Sequence, residues 1–165
     1  MAIFTVHKPI AMNNQIERII RTRKYLIEQL KDLPIESLNR VPEGFNNNIV
    51  WNLGHLIAAQ QGICYVRAGA NMVVDEKYYL NYKPGTKPEQ PVSENEAEQI
   101  KSLLITSLDG LEADIRNGVF EKYTLWTTRY GVDIANIDDA LQFLMFHEGL
   151  HSGTIIALKR LVTRS

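Results

Sequence analysis

The chain has 165 residues, with 18 basic against 19 acidic side chains and a formal charge of −1, enough for one domain that buries roughly 70% of its unfolded surface. No run of one charge sign is present to track a phosphate backbone, so nucleic acid is not expected as a partner, and the lone Cys64 excludes both an intrachain disulfide and a Cys-rich zinc site. No apolar run reaches the roughly 18 residues of a membrane span, and the opening apolar run is too short for a signal peptide, so a soluble cytoplasmic protein is expected.

Four segments carry helical periodicity. The first, from about Asn13 to Leu30, repeats Ile16, Ile20, Ile27 and Leu30 at spacings of three, four or seven and ends at Asp32, Pro34 and Pro42-Glu43-Gly44. The second starts at Asn48, a good N-cap, places Ile49, Leu53, Leu56 and Ile63 on one stripe, and stops at Gly69. From Gly69 to Val92 no helical pattern is evident. A stretch of that length tends to fold locally or to do something, and with Tyr78, Tyr79 and Tyr82 it suggests a lid or pocket wall. Ser93 and Glu96 form a capping box opening the third helix, whose apolar face is Ala97, Ile100, Leu104, Leu108, Leu111 and Ile115 and which closes at Asn117-Gly118. Between Phe120 and Asp133 a loose alternation favours an extended crossover over a small hairpin. The fourth helix starts at Asn136, carries Asp138 and Asp139 at its positive end, and finishes with Lys159, Arg160 and Arg164 at its negative end. Four such helices in a single domain, residues 1–165, without a convincing run of strands, predict an all-α four-helix bundle with long connections.

The chemical signal lies in the histidines. His147 and His151 are one helical turn apart, so both imidazoles project from the same side and one cation can hold both. Steps of four and three through the fourth helix give Ala140, Leu144, His147, His151, Thr154 and Leu158, which predicts an inward stripe interrupted by two imidazoles. A single buried histidine is usually satisfied by core neighbours. Two adjacent ones leave four ring nitrogens to satisfy, at about 1–3 kcal/mol for each left unpaired. His55 belongs to a stripe of small and polar residues, Asn48, Asn52, Ala59, Gly62 and Val66, with room beside its ring. If the second and fourth helices face each other, His55, His147 and His151 converge on one divalent transition metal ion. Cys64 falls roughly half a turn away from His55 and is excluded as a ligand, and His7 precedes the bundle in an irregular arm.

His147-Glu148-Gly149-Leu150-His151 also matches the HExxH pattern of zinc peptidases. The third ligand such enzymes commonly draw from downstream is missing, because no His, Asp or Glu follows His151. Glu148 remains a candidate acid or base beside the metal, with a solvated or supporting carboxylate as the alternative.

Two segments, Trp51-Asn52-Leu53-Gly54-His55-Leu56 and the stretch from Ala140 to Gly153 containing both histidines, resemble the DinB-like (DinB/YfiT) superfamily of metal-binding four-helix bundles, and helix order and length are similar over nearly the whole chain. The resemblance implies a divalent ion, commonly zinc or nickel, held by His55, His147 and His151, and a homodimer. It also implies a thiol-dependent S-transferase or isomerase that uses a low-molecular-weight thiol on a small-molecule substrate. An ion held by three neutral imidazoles keeps its charge and can lower the pKa of water or a thiol, so hydrolysis and thiol transfer are both open. No basic cluster stands out as a carboxylate clamp for such a thiol; Arg67, Arg129 and Tyr130 are candidates, against a role as ordinary surface residues. The other readings are a metal-dependent hydrolase, a non-catalytic metal- or small-molecule-binding bundle, and structural histidines without metal.

Overall fold

The structure, a computed structural model, describes residues 10–163, with side chains from residue 14; His7 and Arg164 lie outside the described residues. In chain order, α1 is Ile10–Leu30, α2 Ile35–Asn39, α3 Ile49–Gln60, α4 Glu76–Tyr82 and α5 Glu94–Arg116, followed by strands β1 Trp126–Thr127 and β2 Asp133–Ile134 and by α6 Ile137–Val162. The bundle is built from α1, α3, α5 and α6, with α1 and α3 each packed on both α5 and α6.

Capping chemistry sets the helix starts where the sequence places them. The side chains of Asn48, Ser93 and Asn136 accept from the backbone N–H of Trp51, Glu96 and Asp139, and the Ser93/Glu96 capping box is complete. After Gln60 the second predicted helix does not stay α-helical. It widens into a π-turn over Gln61–Tyr65 and tightens into a 3-10 turn over Val66–Ala68 before ending on Gly69 at φ +64°. A hydrogen bond from the Tyr123 hydroxyl at 2.5 Å satisfies the Ile63 carbonyl in the widened turn.

Two connections differ from expectation. The 69–92 stretch holds the short helix α4, capped by Asp75 and packed on α3, so its three tyrosines are held on a scaffold rather than in an open loop. The crossover closes into a hairpin, pairing Trp126 with Ile134 and Thr127 with Asp133. Gly131 at φ +74° makes the turn, and Thr128 bonds across it to Val132. The Thr127 hydroxyl adds a side-chain link between the strands, donating to Asp133 Oδ1 at 2.6 Å.

The core consists of two apolar clusters. Ile16, Ile19, Ile63, Leu108 and Leu144 belong to one and Leu26, Leu30, Leu53, Leu104 and Leu158 to the other. Between them lies a polar layer with one residue from each bundle position: Arg23 (α1), Gln60 (α3), Ser107 (α5) and Glu148 (α6), all buried. The inward register of α1 is therefore Ile16, Ile19, Arg23, Leu26 and Leu30, while the expected Ile20 and Ile27 are only partly buried. On α6 the stripe is likewise turned by about one residue from the expected one, running through Leu141, Leu144, Glu148, Ile155, Leu158 and Val162.

Arg23 is fully buried and its hydrogen-bonding capacity is used up. Nε lies 3.2 Å from both Glu148 oxygens and Nη2 is 2.6 Å from Glu148 Oε1, while the remaining donors reach Leu56 O, Leu104 O and Gln60 Oε1 at 3.1, 2.9 and 3.0 Å. Removing one member of such a pair strands a buried charge, at about 3–5 kcal/mol, whereas replacing both by apolar groups of similar volume is close to neutral. Urea unfolding of Glu148→Leu should therefore show a loss of about 3–5 kcal/mol, most of it recovered in Arg23→Met/Glu148→Leu. Equal losses in the single and double variants would contradict this account of the layer.

Candidate metal centre

His55 comes from the middle of α3 and His147 and His151 from successive turns of α6, and the contact between those two helices brings the three together. The ligand nitrogens all lie within 4.8 Å of one another, a group that can hold a metal ion. Ring centroids are 4.5 Å apart for His55 and His151, 4.5 Å for His147 and His151, and 5.2 Å for His55 and His147.

Two of the rings are oriented from behind. Nδ1 of His55 lies 2.7 Å from the Tyr82 carbonyl, which can only accept, so Nδ1 carries the proton and Nε2 keeps its lone pair. Trp51 stacks on the same imidazole at 4.7 Å and 12°, fixing its plane. For His151 the partner is Asn52 Oδ1 at 2.8 Å. The Asn52 amide nitrogen donates to Asn48 O and Asn47 Oδ1, which turns its oxygen toward the imidazole and again leaves Nε2 free. His147 is different, because its Nδ1 is buried with no partner among the described residues. Three imidazoles whose ligand nitrogens lie within 4.8 Å of one another, two of them with Nε2 lone pairs left free, are a donor set a cation completes, so these residues fit a divalent transition metal.

Burial keeps the imidazoles neutral, as ligation requires. It lowers the pKa of His55 against the opposing Tyr82 hydrogen bond, and with the neighbouring histidines and Arg129 it brings His147 down to about 3 and His151 to about 4. Cys64 is buried in the apolar core with its thiol pushed up to about 12, and it is not part of the group.

Glu148 requires a correction. It does not turn toward the imidazoles as a candidate acid or base, because the twist of α6 that puts His147 and His151 in the pocket carries it into the core, where both its oxygens are held by Arg23. Among the described residues, no carboxylate lines the cavity over the cluster, which measures about 520 Å³. Its walls include Trp51, Tyr79, Trp126 and Phe143, and its rim includes Arg67, Arg129 and Tyr130, so all three candidate clamp residues come to this site. The hairpin and α4, both outside the four main helices, thus complete the pocket. Sequence reasoning assigned no role to Asn52, to the Tyr82 carbonyl or to Arg23. The available signals were the Asn48/Asn52/His55 spacing and the 3-4-3-4 apolar series on α1 that contains an arginine.

A four-helix bundle with three imidazoles meeting between its second and fourth long helices defines a class of metal-binding bundles. The chain belongs to the DinB superfamily, whose sequence model matches residues 18–155. No curated protein matches it. No helix among the described residues is long and apolar enough to cross a membrane.

Elemental analysis of untagged protein should find about one transition metal per chain, lost from folded His55→Ala and His147→Ala and bound about 10–100-fold more weakly in Asn52→Leu. Metal retained in both histidine variants would contradict the site. A second expectation concerns the metal-free protein. Each histidine whose folded pKa lies below its unfolded value of 6.5 stays neutral while the unfolded chain takes up a proton. Stability is therefore undiminished above pH 6.5 and falls as the pH drops toward about 4 and 3. Urea midpoints between pH 7 and pH 5 should decline more steeply for the metal-free wild type than for His147→Gln.

Proposed function

We propose that His55, His147 and His151 hold one divalent ion, zinc or nickel, at the floor of the cavity, and that the protein is a metal-dependent transferase joining a low-molecular-weight thiol to a small electrophile. A divalent ion held by three neutral imidazoles supplies undiminished positive charge, which favours ionisation of a nucleophile and polarises an electrophilic oxygen.

One observation favours thiol transfer over hydrolysis. The only carboxylate adjacent in sequence to a histidine of the group is locked against Arg23, and no Asp or Glu among the described residues lines the cavity. Hydrolysis in the manner of the HExxH peptidases needs a free carboxylate beside the reacting water. A thiol has a pKa of about 8.5 and needs far less help to ionise near neutral pH. The residues of the chain would then bind and orient. Tyr82 O and Asn52 direct the imidazoles, Trp51 and Trp126 wall off water, and Arg67 and Arg129 supply donors at the rim.

The test is conjugation of monobromobimane by cysteine, glutathione, bacillithiol and mycothiol with metal-loaded protein. At least one thiol should react on the order of 10² faster than in solution, through ionisation and proximity together. Chelation or His151→Ala should abolish the gain. Stoichiometric metal with no acceleration for any thiol would leave a non-catalytic metal-binding bundle as the better reading.

A further inference from the structure

We infer that the cavity over the histidines takes a small organic anion with a flat apolar body, its negative group held at the guanidiniums of Arg67 and Arg129. This rests on the reading of the cavity as the ligand site above the metal centre, and it names the chemistry that site would select.

The charge is lopsided. Two arginines line the cavity and, among the described residues, no acidic side chain does. The ion pairs of the described residues engage Arg21, Arg23, Lys31 and Lys101, and neither pocket arginine. Two acids on the hairpin side are engaged elsewhere: Asp133 accepts from the Thr127 hydroxyl, and Asp139 accepts from Ala135 N and Asn136 at the start of α6. Two uncompensated guanidiniums at the mouth of a partly enclosed cavity attract an anion and repel a cation.

Both guanidiniums are also pre-positioned. Arg67 lies over the Trp126 ring with its guanidinium carbon 4.4 Å from the centroid, and Arg129 lies 5.0 Å from the Tyr130 centroid while donating to its hydroxyl at 2.9 Å. Stacking on a ring fixes the plane of a guanidinium and leaves edge N–H groups for the paired hydrogen bonds a carboxylate accepts. Behind them the cavity is aromatic, with Trp51, Trp126 and Phe143 as walls and Gly62 leaving space that Tyr79 fills with its hydroxyl 3.3 Å from where a Cβ would sit. Flat apolar groups pack against such walls in offset or edge-on geometry. At about 520 Å³ the cavity suits a small molecule.

The chain has two tryptophans, Trp51 and Trp126, and both line this cavity, so intrinsic fluorescence reports its occupancy. The experiment titrates 3-phenylpropanoate and its neutral amide into metal-loaded and chelator-treated protein, with metal content measured on the same samples. Arg67→Gln, Arg129→Gln and the double variant are compared; both side chains are exposed, and circular dichroism verifies their folding. The acid should bind about tenfold more tightly than the amide, in metal-free protein as well, and the ratio should fall toward one in the double variant. Equal affinity for acid and amide, no saturable quenching by the acid, a preference that vanishes on chelation, or one that survives in the double variant would each overturn the inference. Absence of metal from every sample would instead overturn the metal reading and leave an arginine-dependent preference standing.

Discussion

The Arg23 guanidinium lies wholly out of water where four helices meet, and each of its N–H groups has to find an acceptor there, because a buried unpaired donor on a charged group costs more than a helix packing interface readily offsets. The acceptors come from the other three long helices: a carboxylate from α6, an amide oxygen and a main-chain carbonyl from α3, and a carbonyl from α5. Apolar layers can slide past one another at modest cost. This layer cannot, since a displaced helix would strand its acceptor. The two apolar clusters on either side are thereby held in register.

The consequence for the site is direct, since two of those acceptors are neighbours of the candidate metal-ligating histidines. Leu56 follows His55 and Glu148 follows His147. The contacts that place α3 and α6 against α1 therefore set how far apart those two histidines stand. Around them the finer orientation comes from Asn52, Trp51 and the Tyr82 carbonyl. The coarse spacing is set in the bundle core and the ring angles at its surface, by separate groups of residues.

Much of this was legible in the sequence. The three N-caps, the capping box and the histidine spacing are local signals whose physics needs no tertiary context, and the structure carries them as written. What escaped were the features in which a tertiary partner overrides a local rule. The α1 stripe expected through Ile20 and Ile27 runs instead through Ile19, Arg23 and Leu26, because Glu148 faces Arg23 from α6 and gives its guanidinium a buried partner. Glu148 was drawn toward the histidines by its place in the HExxH pattern, although one step along a helix turns a side chain by about 100°. The hairpin has two paired residues per strand, too few for a loose alternation to distinguish it from an extended crossover. The widened turn at Gln61–Tyr65 has no sequence signature of its own, and its Ile63 carbonyl is satisfied by Tyr123, sixty residues on.

The hold on His55 differs in kind from the other contacts at the centre, because its acceptor is a main-chain carbonyl. Every amino acid has one, so replacing Tyr82 side chain by side chain leaves the acceptor in place. A scan of single substitutions would score position 82 by what its ring packs against and would miss its part in directing the imidazole. The contact answers to displacement of α4, and the lever for that is Gly54, where an added Cβ would lie 2.5 Å from the Tyr82 ring. The genetic handle on this hydrogen bond thus sits on a residue that takes no part in it.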